Sequence, residues 1–255
     1  MAEHHDGGVG ASAPTVEPLM LTSTRVLTFE NQRPLTNATG FFFERDEHLF
    51  LVTSRHVVVD EASEHFPDRI EVEFHVDADN LTESVSFSML LYRDGQSVWR
   101  QGSDTAGGID VAVLEIEREA LPATAAYCAF GPENLFGPLD QPEVGTGLLV
   151  VGFPLGFHDT LHHMPVVRHA VIASSFGLRF KGQGYFLTDS RTHRGTSGAP
   201  VVMRRESAAS DGLSWVLLGV HSARLDVGTR DLRLDEALGL NCCWYADILL
   251  TLTES

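Results

Sequence analysis

Arg194-Gly195-Thr196-Ser197-Gly198-Ala199-Pro200, running on into the apolar Val201-Val202-Met203, is the stretch whose reading decides the fold. A serine is flanked by glycines, a proline closes the turn, and a strand leaves it. Lacking a Cβ, glycine takes positive φ and lets the backbone approach another molecule closely. Such a turn can aim successive N–H groups into one concavity, which is what a developing oxyanion requires. The same cluster also describes an ordinary surface turn. The functional reading therefore needs a base, and a carboxylate to orient it, elsewhere in the chain.

Composition narrows the search. With 255 residues, 43% hydrophobic and 21% charged, the chain is that of a soluble globular protein. Its 23 Gly and 11 Pro punctuate short β-branched and aromatic runs, which favours an all-β architecture. A formal net charge of -17 opposes nucleic acid and anionic membrane, so neither is an expected partner. The acids crowd Asp60 to Glu83, where Arg69 is the single base; from Leu161 to Arg205 seven bases face only Asp189. Ser197 thus lies in the one basic stretch of an acidic protein, either a functional patch or scattered surface arginines.

Cys128, Cys242 and Cys243 are an odd count with two adjacent, so no disulfide framework is expected, and packing as small buried residues is. The opening Met1–Gly8 lacks the basic and apolar regions of a secretory signal. No run approaches the ~20 apolar residues of a membrane span. A cytoplasmic location is expected, or one reached after removal of a signal.

Along the chain, residues 1–18 read as a flexible lead-in. Strands are predicted at Leu21–Phe29, Gly40–Glu44, Leu49–Thr53, Ile70–Val76, Val85–Tyr92 and Val111–Ile116. The prolines of 121–143 mark a crossing between two halves, 19–120 and 144–255. A second set of strands follows at Gly147–Gly152, Val166–Ser174, Tyr185–Thr188, Val201–Met203, Trp215–His221 and Leu240–Tyr245, with a short helix in Ala246–Leu252.

Two partners for the serine emerge. The strand Leu49–Thr53 delivers His56, and a short hydrophobic turn follows it. Asp110 opens the buried strand Val111–Ile116, which is costly unless its carboxylate is hydrogen-bonded; an Asx turn is the plainer alternative. In the order His56, Asp110, Ser197, the chain resembles the trypsin-like (chymotrypsin-fold) serine peptidases, bacterial branch. L-V-T-S-R-H-V-V, G-I-D-V-A-V-L and G-T-S-G-A-P are similar to that family's three catalytic motifs. V-V-G-F-P-L-G (Val150–Gly156) and L-L-G-V-H-S-A-R (Leu217–Arg224) resemble two of its second-barrel strands. This order also argues against an α/β-hydrolase, whose serine comes first within G-x-S-x-G; here Ala199 takes the last glycine's place.

The resemblance implies two six-stranded antiparallel β-barrels with the active site between them. His56, Asp110 and Ser197 would form the triad, and the N–H groups of Gly195 and Ser197 the oxyanion hole, for peptide-bond hydrolysis through an acyl-enzyme. Arg191, Arg194, His221, Ser222 and Arg224 would line the pocket for the P1 side chain, the residue on the acyl side of the scissile bond. Such a lining suits Glu, Asp or Gln, whereas an outward Arg191 would leave a small apolar P1 preference. Thr196 departs from the family's Asp or Asn, so activation by a newly cut N-terminus is not expected. No PDZ-like module is read after the motifs, and a regulatory protein partner is the expectation. No cofactor or metal is implied: His158 and His162 are spaced i, i+4 but lack an H-E-x-x-H pattern. Val144–Gly147 is too little for a nucleotide loop. Two rival readings stay open, a catalytically silent binding module and an esterase using the same three residues.

Overall fold

The structure, a computed structural model, describes residues 16–205, 213–224 and 239–254. Its strands are antiparallel and fall into two halves. The first half comprises β1 (Ser23–Glu30), β2 (Arg33–Arg45), β3 (His48–Thr53), β4 (Arg69–His75), β5 (Ser84–Leu90), β8 (Trp99–Asp104) and β9 (Gly107–Ile116). They form one sheet in the order β5-β4-β1-β2-β3-β9-β8, and β6 (Tyr92–Arg93) and β7 (Gln96–Ser97) make a separate small hairpin. The second half is a closed barrel of β10 (Gly147–Gly152), β11 (Val166–Ile172), β12 (Tyr185–Asp189), β15 (Leu240–Tyr245), β14 (Trp215–Arg224) and β13 (Pro200–Arg204), in that order around the wall.

The all-β expectation stands, with one difference in the first half. Its sheet has seven strands rather than six, and among the described residues its outermost strands β5 and β8 share no ladder. The added strand is β8, whose Trp-Arg-Gln-Gly-Ser-Asp has a single buried apolar residue, Trp99, and carries no period-2 signal. Pairing with β9 makes it a strand, and the register shifts between Gln101 and Ser103.

The long apolar runs that lack strict alternation are strands covered on both faces. In β3, Leu49 and Leu51 point into the first half's own core while Phe50 and Val52 point at the second half. In β9, Ala112 and Leu114 alternate in the same way with Val111 and Val113. On the barrel side, Val150, Val201 and Leu218 fill the interior, whereas Val151, Val202 and Leu217 join the core between the halves. Successive side chains of a strand go to opposite faces, so each such run serves two cores at once.

The crossing segment is strapped to the first half. Phe130 pairs with β2 through Glu44 N–H to Phe130 O at 2.7 Å and Phe130 N–H to Phe42 O at 2.9 Å. The chain then returns: a short helix, α2 (Ile248–Leu252), leaves the barrel and buries Leu249 and Leu252 in the shared core. Arg100 of β8 donates to the carbonyls of Leu252 at 3.3 Å and Glu254 at 2.7 Å. Of the three free cysteines, Cys243 is buried, whereas Cys128 and Cys242 are only half-buried, unlike the expectation for all three.

Candidate active site

His56 lies in a one-turn helix, α1 (Arg55–Val58), directly after β3. Val57 and Val58 anchor that turn in the first half's core, and the Ser54 hydroxyl donates to His221 O across the cleft at 3.2 Å. Asp110, on β9, accepts at both oxygens: His56 N–H at 2.8 Å on Oδ1, and His56 Nδ1 at 2.7 Å on Oδ2. The Ser222 hydroxyl also donates to Oδ2. An aspartate in a strand interior is thereby satisfied by three donors.

These contacts shift both pKa values. Burial works against the charged imidazole of His56, but the hydrogen bond and negative charge of Asp110 outweigh it and hold the pKa above the ordinary 6.5. Burial likewise works against the Asp110 carboxylate, and the donors from His56 and Ser222 more than offset it, leaving the pKa below 3.8. With Nδ1–H donated to the carboxylate, the free lone pair of neutral His56 is on Nε2.

The Gly195–Gly198 turn is held by its carbonyls. Arg194 O accepts from Leu155 N–H at 2.6 Å, Gly195 O from the Thr39 hydroxyl at 2.7 Å, Thr196 O from Ala199 N–H at 3.0 Å, and Ser197 O from Thr39 N–H at 2.9 Å. Thr196 N–H donates to His193 O at 3.2 Å and Gly198 N–H to His221 O at 2.7 Å. The two N–H groups left without a partner among the described residues are those of Gly195 and Ser197. A trans peptide sets N–H opposite C=O, so tying the Arg194 carbonyl to Leu155 turns the Gly195 N–H the other way. Gly195 and Gly198 need to be glycine: their φ values are 90° and 85°, and a Cβ on Gly195 would stand 2.6 Å from Phe153 O.

His56, Arg194, Gly195 and Ser197 line one groove of about 960 Å³, together with Leu155. The Ser197 hydroxyl donates to Ser222 O at 3.0 Å and makes no hydrogen bond to His56. The residues assigned to a P1 pocket separate. Arg194 is exposed and lines the groove; Arg191 is exposed too, its carbonyl accepting from Arg168 at 2.8 Å. His221 and Ser222 are buried on β14, and the Ser222 hydroxyl is committed to Asp110. Arg224 closes β14, and its side chain lies outside the described residues.

The histidines after β10 take other partners: His158 bonds Gly156 O at 2.6 Å, His162 bonds Asp159 at 2.8 Å, and His163 bonds Glu73 at 2.7 Å. The Thr196 side chain, where the resembled family has Asp or Asn, is buried, and its hydroxyl has no partner among the described residues. Sequence reasoning missed Thr39 altogether. No local pattern marks it, because its partners are 114 and 156 residues away.

The fold is that of the β-barrel serine hydrolases, with an imidazole–carboxylate pair on one side of a groove and a glycine-bounded serine on the other. A model of the trypsin-like peptidase domain matches residues 38–208, and the chain belongs to that family. Among solved structures, the serine endoprotease from Yersinia pestis is similar at 16% identity and a TM-score of 0.51, over 92% of this chain. The chain spans 62% of that protein's length. The active form of the Rv3671c protease from M. tuberculosis is similar at 15% identity and a TM-score of 0.51, over 94% of this chain and 82% of that one. At these identities the likeness establishes the fold. None of the curated proteins matches the chain.

Proposed function

We propose that the protein hydrolyses peptide bonds with Ser197 as nucleophile, His56 as general base and then acid, and Asp110 as the group that orients His56. The observation that carries this reading is the turn's hydrogen-bond pattern, which leaves the Gly195 and Ser197 N–H groups unused beside the His56–Asp110 pair. Ser197 rotates about χ1 from Ser222 O toward His56, whose Nε2 takes its proton as Oγ attacks the scissile carbonyl. The oxyanion forms against the two N–H groups; losing one such donor typically costs on the order of 3 kcal/mol of transition-state stabilisation. His56 then protonates the leaving amine. Water, deprotonated in turn by His56, attacks the acyl group, and His56 returns that proton to Ser197 Oγ as the ester bond breaks.

The finer specificity, Glu, Asp or Gln at P1, is supported by Arg194 on the groove wall and by the basic stretch around Ser197. A P1-scanning peptide library tests it, and preference for Val, Ala or Leu ends it. A second reading, a silent domain that only binds peptides, draws on the resting Ser197 hydroxyl, which is bonded to Ser222 O. A fluorophosphonate probe decides between the two. Labelling of the wild type and its loss in Ser197→Ala is the expected result; a wild type that stays unlabelled sinks the enzyme reading.

A further inference from the structure

We infer that Thr39, on β2 of the first half, is the positioning residue that holds the oxyanion turn of the second half in its working shape. The inference rests on the hydrolytic reading above and adds a residue to it. Thr39 is fully buried, and every polar group it has is used. Its N–H donates to Ser197 O at 2.9 Å, its hydroxyl donates to Gly195 O at 2.7 Å, and the same hydroxyl accepts Phe153 N–H at 3.0 Å. Its carbonyl accepts from the Thr53 hydroxyl at 2.8 Å, which ties β2 to β3 just before His56.

The hydroxyl matters because of what lies on each side of Gly195. The peptide plane after Gly195 is pinned through its carbonyl by Thr39 Oγ1. The plane before it is pinned by Leu155 N–H, two residues beyond the Phe153 whose own N–H is anchored on the same Oγ1. One hydroxyl, acting as donor and acceptor, therefore steadies both planes that decide where Gly195 N–H points. A glycine at φ 90° has no side chain to resist rotation, so this external clasp supplies what the residue itself cannot. Valine has nearly threonine's shape, but it can neither donate to Gly195 O nor accept from Phe153 N–H. It would leave two buried groups unsatisfied and the turn free to rotate its N–H away from the groove.

The test compares the purified full chain with its Thr39→Val, Thr39→Ser and Ser197→Ala variants, using a fluorophosphonate probe and p-nitrophenyl acetate. For Thr39→Val, labelling rate and kcat should fall about 10- to 100-fold with KM within about 2-fold, because the donors bind the transition state and not the ground state. Thr39→Ser, which keeps the hydroxyl, should recover to within about 3-fold of wild type. Hydrogen exchange in the peptide containing Gly195–Gly198 should quicken in Thr39→Val and stay near wild type in Thr39→Ser. Wild-type rates in Thr39→Val, or equal losses in the Val and Ser variants, overturn the role. A misfolded Thr39→Val passes the decision to Thr39→Ser, which must retain activity. Failure of the hydrolytic reading shows separately, as a wild type no more reactive than Ser197→Ala, and the role of Thr39 falls with it.

Discussion

On the His56 side of the groove, position is set by side chains: Asp110 gathers the His56 backbone, the His56 ring and the Ser222 hydroxyl onto two oxygens. On the Ser197 side, position is set by backbone, with two positive-φ glycines and four consecutive carbonyls from Arg194 to Ser197 all accepting hydrogen bonds. The first arrangement is electrostatic and changes with protonation. The second combines steric fit with hydrogen bonds between neutral groups and is indifferent to pH. The groove therefore joins a side that titrates to a side that does not, and substitutions on the two should fail differently.

The largest expected effect on the electrostatic side is that of Asp110→Asn. It keeps the shape but removes the charge that holds His56 in the useful tautomer, and kcat should fall about 10⁴-fold. Steady-state kinetics on any substrate the wild type turns over checks this; a drop under tenfold would break the contrast. On the steric side, Gly198→Ala should act through folding instead. Its Cβ would overlap the Thr39 carbonyl and the Thr53 hydroxyl at φ 85°, costing about 3 kcal/mol in denaturant unfolding. Gly145→Ala, also at positive φ but with open space around it, should cost only about 1 kcal/mol. Equal losses at the two glycines would show that conformation, rather than contact with the first half, sets the requirement.

A pH series sharpens the comparison further. Hydrolysis needs neutral His56, so kcat/KM should rise with pH and reach half-maximum above 6.5. Because the His56 pKa is raised on folding, its contribution to stability is complete below 6.5 and is lost as pH climbs through the folded value. Asp110 runs the other way: its depressed pKa adds stability above 3.8, lost as pH falls through the folded value. A half-maximum at or below 6.5 would mean that Asp110 does not govern His56. The smallest effect belongs outside the groove, at the Glu73–His163 pair joining β4 to the loop after β10. Glu73→Gln should cost about 0.5 kcal/mol, read as a shift of a degree or two in melting temperature, and leave kcat unchanged.

Much of this was legible beforehand. Twelve strands were predicted near where they occur, and Gly147–Gly152 and Leu240–Tyr245 match to the residue. Apolar runs bounded by Gly and Pro announce strands wherever both faces are covered. The seventh strand of the first half was not legible, since Trp99–Asp104 is polar and is made a strand by its partner. His56 stood out at the end of an apolar strand, Asp110 at the opening of another and Ser197 in a glycine-bounded turn, in an order that resembles a known family's. What the Ser222 hydroxyl bonds was not legible, because a pattern fixes a place along the backbone and not where a side chain turns.

By itself the sequence determined which chemical groups are available, in what order they come, and which segments are strands, since those follow from residue type and local pattern. The docking of the two halves decided which groups the Ser222 and Thr39 hydroxyls bond. The Ser222 hydroxyl reaches Asp110 across 112 residues and the Thr39 hydroxyl reaches Gly195 across 156. A hydrogen bond is won or lost over tenths of an ångström, and at such separations that distance is set by how two sheets pack, which no local stretch of residues encodes.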